Sequence, residues 1–389
     1  MPVARTATKI ALLSVLALTA CVPLVPASND NGGVTSLAWE PAVNSSFETT
    51  TPAPTEAEIL VDGMNLDQQI RSLLLLHKPG TDGETLARFL NRTGAAGAIL
   101  MSDNVSGTSS ALNAMLSRVT GEPRQLFAID QEGGPVARLT GDQWPAMREL
   151  SRRPVGATVT AFRSRAQMLR RAGVSINFGV VADVAASPSS YMWSRSSGPS
   201  VAAVGDRVAA AVAGENGLVY STLKHFPGHG VSSADSHSSL PASNISRRHW
   251  SATHAVPFAR GIEAGADLVM MGHLRLTSVS SEPASLSKRW VTILRNDMGF
   301  DGVIVTDDIL MLSRSGIPRY SDSVANSVNA VVAGNDLILL VLPRDPSRVS
   351  FSITQFVQGV HEAIAEGRVT ESQIRDSAVR VMNLRTGRP

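Results

Sequence analysis

The feature that most constrains the fold is an alternation of apolar runs and longer helical stretches, which starts near residue 60. Each short apolar run is followed by a stretch with helical spacing. The eight runs occupy residues 70–77, 96–101, 124–129, 174–182, 218–223, 267–271, 302–306 and 336–342. Because their apolar residues are continuous rather than alternating, the runs favour parallel strands that are buried on both faces.

The stretches between the runs have the length of helices, and several end in glycine just before the next run. Examples are residues 84–94, 162–173, 200–217 and 285–299, and residues 370–385 have the pattern of a closing amphipathic helix. Eight strand–helix units in about 320 residues predict an α/β fold, a (β/α)₈ barrel of the TIM type. We expect a single catalytic domain over residues 58–389. A doubly wound open sheet is the alternative.

The first 20 residues predict a signal peptide of the lipoprotein type. Arg5 and Lys9 precede an apolar run of eleven residues, which is too short to span a bilayer. The run ends in LTAC, which resembles a bacterial lipobox, and Cys21 is the only cysteine of the chain. We therefore expect lipid on Cys21, no disulfide, and a membrane-anchored, extracytoplasmic lipoprotein of a bacterium. A plain signal peptide with an incidental cysteine is the alternative.

Residues 21–57 predict a disordered tether, because Pro, Ser, Thr, Asn and Gly dominate without periodicity. A flexible coil of about 35 residues reaches roughly 30–35 Å on average. Charged residues make up 17% of the chain and its formal net charge is +2. With no basic patch interleaved with aromatic residues, this composition argues against a nucleic-acid partner.

Polar side chains follow most of the predicted strands, where barrel enzymes carry their chemistry. These strand-end residues are Asp130, Asp183, Lys224, His225, His273, Asp307 and Asp308. The set predicts a single rim that brings acids, bases and a lysine together.

One loop, KHFPGHGVSSADSH at residues 224–237, holds three histidines, a lysine and an aspartate. Its two glycines and its proline predict neither a helix nor a central strand. A metal site formed by His225, His229 and His237 is disfavoured, because Pro227 interrupts the His-x₃-His spacing that zinc uses on helices. We expect no metal and no cofactor, and a structural role for His229 in which it bonds loop carbonyls.

Three motifs resemble the single-domain β-N-acetylglucosaminidases of glycoside hydrolase family 3. They are AIDQEGGPVARL (128–139), the KHFPGHG loop with its Asp-Ser-His, and FDGVIVTDDILM (300–311). The resemblance runs from about residue 60 to 386, with the motifs in the family's order. It implies an exo-acting hydrolase for terminal β-linked GlcNAc. The expected location outside the membrane indicates peptidoglycan fragments as the substrate.

The resemblance also implies roles for individual residues. Asp307 is implied as the nucleophile and His237 as the acid/base, with Asp235 as its partner. The sugar-binding residues that it implies are Asp130, Arg138, Arg195, Lys224 and His225. We add His273 to the sugar-binding residues from its place after the sixth run, and we expect Glu132 to hold its loop.

These residue types suit a retaining glycosidase, in which a carboxylate attacks the anomeric carbon and an acid protonates the leaving oxygen. Asp235 lies two positions before His237, so an extended loop would point both side chains to one side, and a carboxylate favours imidazolium. Asp307 and Asp308 would point to opposite faces of a continuing strand, so only one can face the barrel axis.

The sequence leaves two alternative functions. A phosphorylase would use phosphate in place of water, since a histidine repels an incoming phosphate less than a second carboxylate would. An inactive wall-binding lipoprotein is the other alternative. Its support is Pro135, where the family has arginine, and the altered sequence around Arg195.

Overall fold

The computed structural model describes residues 53–232, 239–345 and 348–387. Its centre is a sheet of eight parallel strands. They are β1 (Leu74–Leu76), β2 (Gly97–Leu100), β3 (Leu126–Ile129), β4 (Ile176–Val181), β5 (Tyr220–Phe226), β6 (Leu268–Met271), β7 (Val303–Thr306) and β8 (Ile338–Leu340).

The sheet closes into a barrel. Successive strands from β1 to β7 are neighbours, β1 also pairs with β8, and a parallel bridge between Val305 and Leu337 joins the β7 and β8 ends. The predicted (β/α)₈ barrel is therefore confirmed, and the open-sheet alternative is excluded. Every strand overlaps its predicted run, although the helix Leu66–Arg71 takes up the start of the first run.

The barrel interior is filled by apolar side chains from its strands, as expected for a sheet buried on both faces. Those with an exposed fraction of 2% or less include Leu75, Ile99, Ala128, Phe178, Met270 and Val305. A second apolar layer lies between the sheet and the surrounding helices, and it explains why the strands are mostly apolar.

Helices surround the barrel. The α-helices are Glu56–Asp62, Leu66–Arg71, Gly83–Thr93, Ser109–Leu116, Met147–Leu150, Gly156–Arg171, Val201–Glu215, Arg247–Ala252, Ala255–Glu263, Lys288–Thr292, Leu310–Ser313, Ser323–Ala333, Ile353–Ala365 and Glu371–Thr386. The stretch predicted at 285–299 is shorter as an α-helix, because it continues as a π-helical segment at Ile293–Asp297. Two short strand pairs lie outside the barrel, Gln131–Gly133 with Val136–Ala137, and Ala242–Ser243 with Arg275–Leu276.

The N-terminal boundary differs from the prediction. The helix Glu56–Asp62 starts two residues before the expected end of the tether, and Thr55 and Glu58 form a capping box at its start. The tether predicted at 21–57 therefore extends too far toward the C-terminus. The predicted signal peptide and Cys21 lie outside the described residues. No helix in the described ranges has both the length and the apolar character that crossing a membrane requires.

Candidate active site

A small cavity of about 150 Å³ opens at the carboxyl ends of the barrel strands. Its lining residues are Asp130, Val136, Arg138, Tyr191, Arg195, Lys224, His225, Met270 and Asp307. A wider groove lies on the outer helices, between Ser323–Ala333 and Ile353–Ala365. Of the strand-end residues that the sequence predicts for one rim, Asp130, Lys224, His225 and Asp307 line the cavity at the strand ends.

Lys224 and His225 belong to β5 and do not follow it. The strand extends to Phe226, three residues beyond the predicted run, so the prediction that this motif contains no strand is wrong at its start. In a regular strand, adjacent side chains point to opposite faces. The pairing of β5 with β6 shifts register between Leu223 and Phe226, and at this irregularity both Lys224 and His225 line the cavity.

The charged side chains of the cavity form a continuous set of ion pairs. Lys224 Nζ lies 2.8 Å from Asp130 Oδ1 and 2.7 Å from Glu132 Oε1. Arg195 donates two hydrogen bonds to the same Glu132, from Nε to Oε2 at 2.9 Å and from Nη2 to Oε1 at 2.6 Å. Arg138 Nη2 lies 3.3 Å from Asp130 Oδ2. Asp130 and Glu132 thus each accept bonds from two cations.

Burial and these cations act in opposite directions on the carboxyl groups. Burial alone would raise the pKa of Asp130 and of Glu132. The charges of Lys224 and Arg138 outweigh burial at Asp130, and its pKa falls below the usual range. Lys224 and Arg195 likewise lower the pKa of Glu132 to about 2. Both carboxylates are ionised at neutral pH, and Glu132 pairs with Lys224 and Arg195.

His225 is a neutral imidazole with a fixed tautomer. Its Nε2 lies 3.2 Å from Arg195 Nη2, and because guanidinium can only donate, Nε2 accepts. Its Nδ1–H donates to Asp183 Oδ2 at 2.8 Å. Burial, followed by the charges of Arg195 and Lys224, lowers the pKa of His225 well below its ordinary value. In this arrangement, Nε2 is already occupied by Arg195 on the cavity wall.

Asp307 and Asp308 diverge as the strand geometry predicts. Asp307, which directly follows β7, lines the cavity and is half-buried. Asp308 turns away: its Oδ1 accepts from the backbone N–H of Leu310 and Val341, and its Oδ2 accepts from Arg314. Burial raises the pKa of Asp308 to about 7. Burial also opposes ionisation of Asp307. His273, His225, the backbone N–H of Asp308 and Lys224 together outweigh burial and lower the pKa of Asp307.

His273 is not placed as a sugar ligand, and this prediction is corrected. The side chain is 1% exposed and is not among the residues that line the cavity. Its Nδ1 bonds Ser285 Oγ at 2.7 Å, and its Nε2 donates to the carbonyl of Asp308 at 2.8 Å. With both ring nitrogens engaged, His273 supports the backbone that carries Asp307 and Asp308.

The Glu-Gly-Gly turn shows why glycine is required next to Glu132. Gly133 and Gly134 have φ values of 86° and 59°, in the left-handed region. A Cβ on Gly133 would lie 2.3 Å from Arg165 Nη2, and one on Gly134 would lie 2.9 Å from the Cβ of Ala146. The turn is therefore pressed against Arg165, which is itself held by Asp142.

His229 is buried as expected of a structural residue, but its contacts differ from the expectation. Its backbone N–H donates to Asp183, and its ring lies 5.7 Å from that of Tyr191. Within the described ranges, neither ring nitrogen has a hydrogen-bond partner. The expected bonds from its ring to loop carbonyls are therefore not formed there.

Several predictions lie outside the described residues, namely those on His237, Asp235 and Cys21. Three cavity residues were missed by sequence reasoning: Val136, Tyr191 and Met270. Met270 is an ordinary apolar strand residue and Val136 belongs to a two-residue strand, so neither carries a signal of its own. Tyr191 lies near Arg195, and only that proximity could have indicated it. Across the described ranges, no group of three His, Cys, Asp or Glu side chains is arranged to hold a metal ion.

Comparisons with known proteins agree with this geometry. The model of the glycosyl hydrolase family 3 N-terminal domain matches residues 65–384. The chain is 33% identical over 287 residues to a β-hexosaminidase of Xanthomonas oryzae pv. oryzae (strain MAFF 311018), covering 70% of this chain and 84% of that protein. It is 29% identical over 337 residues to β-hexosaminidase A of Pseudoalteromonas piscicida, covering 78% of this chain and 55% of that longer protein.

Solved structures give the same answer. A glycoside hydrolase family 3 β-N-acetylglucosaminidase from Paenibacillus sp. str. FPU-7 aligns with a TM-score of 0.74 at 28% identity, covering 83% of this chain and 63% of that one. M. tuberculosis LpqI aligns with a TM-score of 0.75 at 26% identity, covering 86% and 97%. The chain therefore belongs to glycosyl hydrolase family 3, and it is a glycoside hydrolase whose similar relatives are β-hexosaminidases.

Proposed function

We propose that this glycoside hydrolase is an exo-acting, retaining β-N-acetylglucosaminidase that releases terminal GlcNAc from peptidoglycan fragments. Asp307 acts as the nucleophile and His237 as the acid/base, with Asp235 as its partner. The observation that carries the proposal is the position of Asp307. It is the one carboxylate of the cavity lining that is without a cation at ion-pair distance among the described residues.

The charge state of Asp307 supports this role. An attacking carboxylate must be ionised, and the pKa of Asp307 lies below its ordinary value. Asp130, in contrast, is occupied by Lys224 and Arg138, which suits binding of sugar hydroxyls better than attack. The backbone N–H of Asp308 donates to Asp307 Oδ1 at 2.8 Å, which leaves Oδ2 for the anomeric carbon.

The reaction proceeds in two displacements. In the first, a carboxylate oxygen of Asp307 bonds to the anomeric carbon while the aglycone oxygen leaves and takes the proton of His237. In the second, His237 accepts a proton from water as the water oxygen attacks the same carbon and the bond to Asp307 breaks. Two inversions give net retention.

The small size of the cavity supports exo action. A volume of about 150 Å³, walled by Tyr191, Val136 and Met270, suits a single terminal sugar rather than an internal stretch of polymer. The names of the relatives support a hexosaminide as that sugar. The choice of wall fragments as the substrate rests on the expected lipid anchor at Cys21. The first check of this anchor is whether the Cys21→Ala variant is released from the membrane fraction.

The assignment of the nucleophile is tested with a nitrophenyl β-GlcNAc and a mechanism-based fluoro-sugar. We expect Asp307→Asn to lose at least about 10⁴-fold in kcat, because no covalent route remains. Asp308→Asn is the matched control, one residue away, and we expect it to keep activity within about tenfold. Mass spectrometry should place the trapped sugar on Asp307. A label on Asp308, or a product of inverted configuration, would refute the mechanism.

Substrate specificity is tested on matched nitrophenyl glycosides. A site that hydrogen-bonds the acetamido group should prefer β-GlcNAc to β-glucose by about 10³-fold or more in kcat/KM, since glucose leaves buried partners unpaired. Comparable values would contradict the sugar assignment.

The same assays, run with and without inorganic phosphate, decide whether free GlcNAc or GlcNAc 1-phosphate is formed. Formation of the phosphate ester would show a phosphorylase.

A further inference from the structure

A chain of buried amide and carboxyl groups lies directly behind the sugar cavity. It begins at Gln131, the residue between Asp130 and Glu132, whose side chain is fully buried. Gln131 Oε1 accepts from the backbone N–H of Arg138 and of Leu139, both at 2.9 Å. Its Nε2 donates to Asp142 Oδ2 at 2.8 Å. One side chain thus fixes the backbone from which the cavity arginine projects.

Asn177 connects Gln131 to the outer layer of the barrel. It belongs to β4 and is fully buried. Its Oδ1 accepts from the backbone N–H of Gln131 at 3.2 Å, and its Nδ2 donates to the carbonyl of Gln131 at the same distance. The same Nδ2 donates to Glu215 Oε1 at 2.6 Å. The direction of the Asn177 amide therefore depends on Glu215.

Glu215 is the last member of this hydrogen-bonded series, and no cation among the described residues is bonded to its carboxyl group. It is fully buried at the end of the helix Val201–Glu215, and its Oε2 has no hydrogen-bond partner in the part of the chain that is described. The charged groups that face it are Arg165, from the helix Gly156–Arg171, and Asp267, just before β6. Arg165 is bonded to Asp142, and Asp267 is bonded to Ser221.

We propose that Gln131, Asn177 and Glu215 are positioning residues that set the place of Arg138 in the sugar cavity, and that Glu215 does so as a neutral carboxylic acid. The geometry requires that the amide of Asn177 be held by an acceptor, which a neutral carboxyl provides. An anion at this depth, with one oxygen unpaired, would carry a large desolvation cost. Burial, only partly offset by the bond from Asn177, raises the pKa of Glu215 to about 8.

The proposal rests on the proposed function in one respect, the contact of Arg138 with the sugar. Replacing Gln131 by methionine keeps the length of the side chain and removes its hydrogen bonds. We expect Gln131→Met to raise the KM for nitrophenyl β-GlcNAc at least tenfold and to change kcat less than threefold, since Asp307 is not moved. Gln358→Met, an exposed glutamine of the helix Ile353–Ala365, is the control and should change neither value.

A double-mutant cycle separates positioning from a general loss of structure. If Gln131 acts through Arg138, Gln131→Met should have no further effect on KM once Arg138→Ala is present. If Gln131→Met raises KM by the same factor in the wild type and in the Arg138→Ala variant, the positioning role is wrong. Should Gln131→Met fail to fold, Asn177→Asp provides the same cycle. It keeps the acceptor for the backbone N–H of Gln131 and loses the donor to the Gln131 carbonyl and to Glu215.

The protonation state of Glu215 is tested with the isosteric glutamine. If Glu215 acts as a neutral acid, Glu215→Gln should keep the wild-type KM at pH 6–7, whereas Glu215→Ala should raise it. Above pH about 8 the wild-type KM should rise as Glu215 ionises, and that of Glu215→Gln should stay level. A Gln variant as impaired as the Ala variant at pH 6–7 would overturn the neutral form.

A stability measurement needs no substrate, so it distinguishes failure of this inference from failure of the proposed function. A carboxyl with a raised folded-state pKa takes up a proton on folding, so its contribution to stability is present below the unfolded pKa and is lost as pH rises toward about 8. Glu215→Gln should therefore gain in Tm relative to the wild type between pH 5 and pH 9. A constant difference would overturn the neutral acid, even if the enzyme hydrolyses no GlcNAc glycoside.

Discussion

At the scale of single residues, the cavity shows how a protein keeps several charges in a confined space. Lys224 is 1% exposed and Glu132 is 3% exposed, and burying either charge alone would be costly. Glu132 meets two cations and Lys224 meets two carboxylates. The set is therefore stable only when complete, and removing one member leaves the others buried without a partner.

Glu132→Gln is the sharpest test of that dependence. It leaves Arg195 without a counter-charge, so we expect the free energy of unfolding to fall by about 3 kcal/mol or more. Asp206→Asn is the control: Asp206 pairs with Arg260 where both side chains are about half exposed, and a change of about 0–1 kcal/mol is expected. Equal losses in urea titrations of the two variants would contradict the argument.

The contribution of Glu132 to stability should depend on pH in one direction. The folded-state pKa of Glu132, about 2, lies below its ordinary value of 4.5. Its contribution to stability is present above pH 4.5 and is lost as pH falls through about 2. The difference in Tm between the wild type and Glu132→Gln should therefore narrow below pH 4. A difference that stays constant down to pH 2 would show that Glu132 is not paired as an anion.

At the scale of elements, the hairpin that follows β3 requires glycine where it packs against Arg165. Gly133 and Gly141 have φ values of 86° and 89°, but a Cβ on Gly141 meets nothing within 4 Å. Gly141→Ala should therefore cost only the left-handed backbone term, about 1–2 kcal/mol. Gly133→Ala must also displace Arg165, so we expect a clearly larger loss of stability and a raised KM. Similar values for the two in denaturation and kinetics would contradict the close approach.

The elements also show what the sequence could predict. The eight apolar runs indicated all eight strands, because a strand that is buried on both faces is mostly apolar. Most of the strand-end polar residues line one cavity, because the carboxyl ends of the parallel strands meet at one end of the barrel. His273 was misplaced because position after a strand does not say whether a side chain turns to the cavity or away from it. The irregularity in β5 depends on its pairing with β6, and no local pattern encodes it.

At the scale of the whole molecule, closure of the barrel depends on a buried acid at its far end. Asp336 is fully buried between β7 and β8, where it accepts from the backbone N–H of Ile304 and pairs with Arg295 and Arg380. Ser377, from the last helix, donates to the same carboxylate at 2.8 Å. One side chain thus connects the last strands of the barrel to the C-terminal helix.

Asp336→Asn tests this closure. The change leaves Arg295, which is 16% exposed, without its counter-charge, so we expect a loss of about 3 kcal/mol or more in the free energy of unfolding. Because the cavity is at the opposite end of the strands, KM for the glycoside at low temperature should stay within about twofold. A variant with unchanged stability in urea would show that the acid does not hold the barrel closed.

The N-terminal helix belongs to the folded unit although the sequence assigns its first two residues to the tether. Ala57 and Val61 are 1% and 0% exposed, and Asp62 accepts two bonds from Arg375 of the last helix, at 2.6 and 2.9 Å. A chain that begins at residue 65 exposes the apolar face of the last helix. Its Tm should be several degrees lower than that of a chain that begins at residue 53. Asp62→Asn, which removes only an exposed ion pair, should change Tm by about one degree at most, so a large effect of this variant would assign the stability to charge rather than to burial. Equal Tm values for the two shortened chains, measured by calorimetry, would show that the helix does not stabilise the folded unit.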